Sequence, residues 1–233
     1  MTPQELIGNV ISGLDKTVTP TSIEQVDDIL WKLNMSSTKY AAYGYLITDP
    51  DDVARKIVEI KCDEYIIVES DIEPNAGTWT LYSPVYLHGT PKAINAEATN
   101  TIQAGGQIYP LIWFLEIAQF DRSYDPLSMI QDTPDIRMFF MDEANYRDWD
   151  TYEHYEQVIK PMINLADMMC KSIRDDGRFD KLETTRFTNH AKFGLRYTNP
   201  KTADNYSHVK NLLNENVSGV ELRLKVPIRK SCK

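Results

Sequence analysis

The spacing of apolar residues changes character several times along the chain, and each change predicts an element. Thr2-Pro3-Gln4-Glu5 supplies an N-cap, a proline at the first helical position and a glutamate three residues after the cap. Leu6, Ile7, Val10, Ile11 and Leu14 follow at helical spacing, so a helix is predicted there. Thr21-Ser22-Ile23-Glu24 repeats the capping order, with Ile23, Val26, Leu30 and Leu33 on one face, and predicts a second helix within residues 1–35. From Lys39 the pattern becomes aromatic and β-branched. KYAAYGYLIT reads as a strand closed by the turn Asp49-Pro50-Asp51. KIVEIKC (56–62) and EYIIVES (64–70) read as further strands, the first with a short helix opening at Asp51 as its alternative. After EPNAG (73–77), TWTLYSPVYLHG predicts a hairpin, and residues 89–106, poor in apolar side chains, a long loop.

The second half is more hydrophobic. GGQIYPLIWFLE sets Pro110 at the mouth of a dense apolar run. A proline at the first residue of a strand sacrifices no ladder bond, so residues 109–117 are predicted as a central strand, apolar on both faces. DIRMFFMDE (135–143) is another buried strand. Asp150 and Glu153 make a capping box for the strongest helix, in which Tyr155, Ile159, Met162, Ile163, Ala166, Met169 and Ile173 recur at helical spacing. Pro161 lies inside it and removes the bond to the carbonyl of Gln157, which predicts a kink. HAKFGLRYT (190–198) reads as a strand. VELRLKVPI alternates Val220, Leu222, Leu224, Val226 and Ile228 against Glu221, Arg223, Lys225 and Pro227, a half-buried strand whose proline suits an edge.

These elements predict one α+β domain over residues 1–233. Its mixed, largely antiparallel central sheet, built from strands near 39–48, 109–117, 135–141, 191–198 and 219–229, is flanked by helices. Residues 1–35 supply N-terminal helices, 49–104 a projecting β-hairpin and long loop, and 105–233 the core sheet and long helix.

Composition narrows the function classes. The 233 residues are 42% hydrophobic and 25% charged, with a net charge of −9. Tight wrapping of nucleic acid needs a basic surplus that this chain lacks, whereas an acidic surface lets DNA slide past. No apolar run approaches the ~20 residues that cross a bilayer, and MTPQELIGNV lacks the basic and apolar regions of a signal peptide. Cys62, Cys170 and Cys232 have no zinc spacing and point to reduced thiols. The histidines, His88, His154, His190 and His208, are scattered, so neither metal nor other cofactor is expected.

One pattern resembles catalytic chemistry. Pro50-Asp51 followed by Glu59-Ile60-Lys61 is similar to the PD-(D/E)xK nucleases, in which two carboxylates hold Mg²⁺ and the lysine supports the attacking water. The simpler reading is a solvated strand face of alternating charge, because the motif is short and no basic surface accompanies it. Asp and Glu in 142–150 read as helix N-terminal charges.

Several segments together carry a family resemblance: Tyr109-Pro110-Leu111-Ile112-Trp113, Asp148-Trp149, Lys160-Pro161 and Gly219-Val220-Glu221-Leu222. In this order they resemble tail-completion (tail terminator) or neck proteins of tailed bacteriophages, over about residues 105–230. The resemblance implies a non-enzymatic virion protein, assembled in the bacterial host cytoplasm as a six- or twelve-fold ring with portal, neck or tail proteins. Genomic DNA would pass through its channel without specific binding. The segment 49–104 is longer than a compact terminator needs. The Mg²⁺ nuclease using Asp51, Glu59 and Lys61, and a soluble host-side binding module, are the alternative expectations.

Overall fold

The computed structural model describes residues 2–104, 107–115, 120–124, 130–144, 148–180, 182, 184–193 and 217–229. The fold is α+β with large, mostly antiparallel sheets and few helices. The N-terminal helix α1 (Pro3–Ser12) forms as its capping box predicts, with Leu6, Ile7, Val10 and Ile11 buried. Among the described residues the strands make two sheets rather than the single one expected. The first contains β1 (Thr17–Val18), β2 (Ser22–Asp27), β3 (Leu30–Asn34), β4 (Leu46–Thr48), β5 (Ala54–Lys61), β6 (Tyr65–Glu69) and β7 (Trp79–Leu81). Their order is β1-β7-β4-β5-β6-β3-β2, and every neighbouring pair is antiparallel.

Several expectations for this half are corrected. Residues 22–34 form the β2–β3 hairpin, not a second helix. Ile23 pairs with Leu33, β3 continues onto β6, and Asp28-Ile29, between the paired Asp27 and Leu30, makes the turn that the capping pattern concealed. Long-range pairing outweighed a weak helical period there. KYAAYGYLIT is extended only at β4, because Lys39 and Gly44 adopt positive φ (51° and 83°) and fold the chain into a buried irregular stretch. KIVEIKC is strand β5, not a helix. The β5–β6 hairpin does not project, since it lies in the middle of the first sheet. The strand expected over TWTLYSPVYLHG makes no hairpin across EPNAG with the strand before it: β7 pairs with β1 and β4 rather than β6, while β8 (Val85–Gly89) enters the second sheet.

The second sheet runs β12-β13-β11-β9-β8, from β8, β9 (Leu111–Leu115), β11 (Ile130–Glu143), β12 (Thr184–Phe193) and β13 (Val217–Lys225). Beside it, β10 (Phe120–Tyr124) and β14 (Ile228–Arg229) pair with the start of β11. β8 and β9 are parallel, and parallel neighbours need a crossover. Residues 91–103 supply it as helix α2 (Pro91–Gln103) in place of the expected loop. Its apolar stripe is narrow, with Ile94 and Ala98 buried one turn apart, so little hydrophobic content announces it. β9 is interior and apolar on both faces as predicted. Ile112 and Phe114 face the main core, and Leu111 and Trp113 the smaller core beneath α2. The strand starts after Pro110, whose carbonyl accepts from the Val85 amide at 2.8 Å. β13 sends Val220, Leu222 and Leu224 into the main core as predicted, but it is buried from Val217 to Leu222 rather than half-buried. It is also no edge strand, since β11 and β12 flank it and its ladder ends at Lys225, before Pro227. Of the strand expected over 191–198, residues 191–193 end β12, and 194–198 lie outside the described residues.

The long helix begins on its capping box, with α3 (Thr151–His154), a π-helical turn (Tyr155–Ile159) and α4 (Lys160–Asp175). The Pro161 ring removes one helical donor, and the chain accommodates it with this wider turn, in which the Lys160 amide donates to the carbonyl of Tyr155. Val158, Met162, Leu165, Ala166, Met169 and Ile173 then join residues of both sheets and α1 in one core. No helix among the described residues is long and apolar enough to cross a membrane.

Gly219 on β13 has φ +159°, and a Cβ there would lie 1.9 Å from the carbonyl oxygen of Phe140 on β11. That oxygen belongs to a central strand and has nowhere to go. Gly219→Ala is expected to cost about 3 kcal/mol or more, read as a lowered urea midpoint or loss of soluble protein.

Candidate functional site

The π turn presents side chains to the part of the β5 flank that no strand among the described residues covers. β4 pairs only with the start of β5, and beyond it the Gly44–Tyr45 backbone pairs with Ile57. From there on the partners are side chains. The Gln157 amide accepts from the Ile60 amide at 3.2 Å and donates to the Ile60 carbonyl at 3.0 Å, as a backbone partner would. Glu156 accepts from the Cys62 amide at 3.3 Å, and Lys160 donates to the Cys62 carbonyl at 3.4 Å and to Glu156. Buried backbone groups are thereby satisfied through residues far away in sequence. Burial pushes the Cys62 thiol up to about 12, which makes it a poor nucleophile.

A cleft of about 340 Å³ opens beside this junction, lined by Tyr43, Glu59, Lys61, Tyr65, Trp149 and Tyr152 among others. It brings together two of the three residues of the nuclease pattern. Glu59 accepts from the Tyr65 hydroxyl at 2.7 Å, and Lys61 pairs with Glu64 at 2.8 Å. Asp51 is elsewhere. It sits in the turn before β5, hydrogen-bonded to Asn75, where Asp49 clamps the turn by accepting from the amides of Asp51 and Val53 and pairing with Arg55. At roughly 3.3 Å per residue, the five residue steps along the strand from Ala54 to Glu59 alone separate it from Glu59 by about 16 Å. The metal-binding triad is therefore not assembled. Among the described residues no group of three or more His, Cys, Asp or Glu is placed to hold a metal ion.

A different constellation lies where β13 meets α3. His154 Nε2 and Ser218 Oγ are 2.8 Å apart, and Ser218 lies opposite Asp142 across the β11–β13 ladder. No sequence spacing points to this grouping. Ser218 is wholly buried, so the pair ties helix to sheet rather than presenting a nucleophile to solvent. Burial also lowers the His154 pKa. Asp142 is buried with the Tyr45 phenol as its polar neighbour, yet among the described residues neither Oδ2 nor the hydroxyl makes a hydrogen bond of normal geometry. Burial pushes the Asp142 carboxyl well above the ordinary carboxylate range.

The outer face of the second sheet carries the strongest charge pattern. Strand register lines up Arg186 of β12, Arg223 of β13 and Arg137 of β11 in one row. The buried Glu221 carboxylate receives Arg137 at 2.6 Å, Arg223 at 2.5 Å and His190 at 3.0 Å. Burial alone would raise Glu221, but these hydrogen bonds outweigh it and hold the carboxyl down to about 2. Arg137 also lies over the Phe139 ring, which stacks on Trp113. On the opposite side of β12 is an open groove of about 1310 Å³, with Phe187, Met168 and Leu182 on one wall and the Lys39–Asp15 pair, 2.6 Å apart, in another.

Gln157→Ala is expected to destabilise the protein by about 2–4 kcal/mol, measured by urea unfolding, because it orphans both polar groups of Ile60. For Asp142 the sign follows from its raised pKa. Below the usual carboxylate pKa both states are protonated. As pH rises past it, the unfolded chain ionises while the folded chain holds the proton, so stability is lost towards neutral pH. Asp142→Asn is expected to raise the melting temperature at pH 7 by several degrees, with the gain shrinking towards pH 4. No family model matches the chain, and no curated protein or solved structure is significantly similar to it.

Proposed function

We propose that the chain is a structural subunit of a tailed-phage virion, forming a ring at the neck or tail top as a tail terminator or head–tail adaptor. It joins portal and tail and leaves a channel through which DNA passes unbound. The observation that carries this reading is the β2–β3 ribbon at the border of the first sheet. Most of β2 is exposed, and the ribbon ends in Val26 and Ile29, beside Ile72, which are 53%, 44% and 65% exposed. Apolar residues gathered on a strand ribbon fit a subunit contact better than a free surface. Ring closure requires heterologous contacts of this kind between different surfaces of successive copies.

The resemblance supports the same reading through residues that organise the fold. Tyr109-Pro110 leads into the interior strand β9, Lys160-Pro161 closes the π turn, and Gly219-Glu221 occupies the interior strand β13. The overall charge of −9 fits a conduit that repels DNA. A Mg²⁺ nuclease has less support, with Asp51 held apart from Glu59 and Lys61.

Light scattering after size exclusion tests the proposal. The expected outcome is a closed species of six or twelve 26.8 kDa subunits, with a ring outline in negative stain. A strict monomer at high concentration, failing to join any phage particle, would overturn it.

A further inference from the structure

The border strands of the two sheets are unlike each other. Among the described residues β2 pairs only with β3, and β12 only with β13, so each leaves one flank of backbone donors and acceptors without a strand partner. The segment Ser22–Ile29 carries Glu24, Asp27 and Asp28 with no cation. Glu69, Asp71 and Glu73 follow at and after the end of β6, which is separated from β2 by β3, and all three are exposed. β12 carries Arg186, which has no ion-pair partner among the described residues and begins the row continued by Arg223 and Arg137. Against those three guanidinium groups the face sets the Glu221 carboxylate, with Asp135 near Arg223.

Charge of this kind on a border strand decides which pairings are possible. Two β2 strands brought together would oppose Glu24 and Asp27 with their own copies, and two β12 strands would oppose their arginines. Like charges placed across a strand pair are destabilising. A β2 strand meeting a β12 strand opposes unlike charges and satisfies backbone groups on both. The border of β12 also adjoins the large groove, where Phe187 is 37% exposed and offers an apolar counterpart to Val26 and Ile29.

We propose that the acidic β2 border of one copy pairs with the basic β12 border of the next, joining the first sheet of each subunit to the second sheet of its neighbour. The inference rests on the ring reading and names its junction. The contact is heterologous, because the two participating surfaces differ, and repetition closes a ring when the rotation per step allows. The two-fold alternatives are disfavoured by the same charges that favour this one.

The experiment uses the full chain and light scattering over a range of concentrations. Wild type is expected as the closed multimer. Glu24→Lys/Asp27→Lys and, separately, Arg186→Glu are each expected as monomers, with association weakened at least tenfold. Mixed in equal amounts, they are expected to reassemble to the wild-type mass, because each reversed border then meets its opposite. Circular dichroism melts confirm that the variants are folded. The milder Glu24→Gln/Asp27→Asn is expected to shift the equilibrium towards monomer without reversing any charge. Variants that remain multimeric, or a mixture of folded variants that stays monomeric, overturn the border pairing while leaving the ring reading intact. A wild type that is monomeric throughout removes both.

Discussion

The amide of Gln157 holds together two sheets that share no hydrogen-bonded strand pair among the described residues. It donates to and accepts from Ile60, filling the place of a strand on the flank of β5, while the helix that carries it packs on β11 and β13. A helix of uniform α geometry brings different side chains to that flank. The wider π turn ahead of Pro161 places Glu156 and Gln157 together, both buried, with Gln157 spent on the backbone of β5 and Glu156 on that of Cys62 just beyond it. A residue that breaks the regular hydrogen-bond pattern in one element thus completes it in another. Each such bond contributes little net free energy, but the penalty for leaving a buried amide or carbonyl unmet is larger, so the junction is held mainly by what its loss would expose.

The same logic explains how much of the fold was legible. Elements specified locally were visible: the capping boxes at Thr2 and Asp150, the apolar run Leu111–Leu115, and the alternation from Val220 to Leu224. Elements specified by partners were not. Ile23 and Leu33 fit either period, and only pairing of β3 with β6 decides for the strand. α2 exists because β8 and β9 are parallel, a relation that Ala- and Asn-rich residues 91–103 do not encode by themselves. The split of β7 from β8 likewise depends on which sheet offers each a neighbour.

Site residues divide in the same way. Glu59 and Lys61 share strand β5 as their spacing implies, whereas their distance from Asp51 follows only from the length of that strand. The contacts of Gln157 with Ile60, His154 with Ser218, and Arg137 with Glu221 each span dozens of residues, so no local spacing could suggest them. What the chain did show was the alternation on β13, which places Glu221 and Arg223 on one face. It did not show that neighbouring strands would add Arg137 and Arg186 to the row.

Strand order also bears on when the subunit can be finished. β13 follows β12 along the chain yet lies between β12 and β11, and β12 has no other strand partner among the described residues. During synthesis β12 therefore emerges before the strand that anchors it to the sheet. Until β13 inserts, the row from Arg186 through Arg223 to Arg137 does not exist, and Glu221 is not there to hold it. The basic border of the molecule is thus an attribute of the completed fold, which separates the folding of a copy in time from its joining to another.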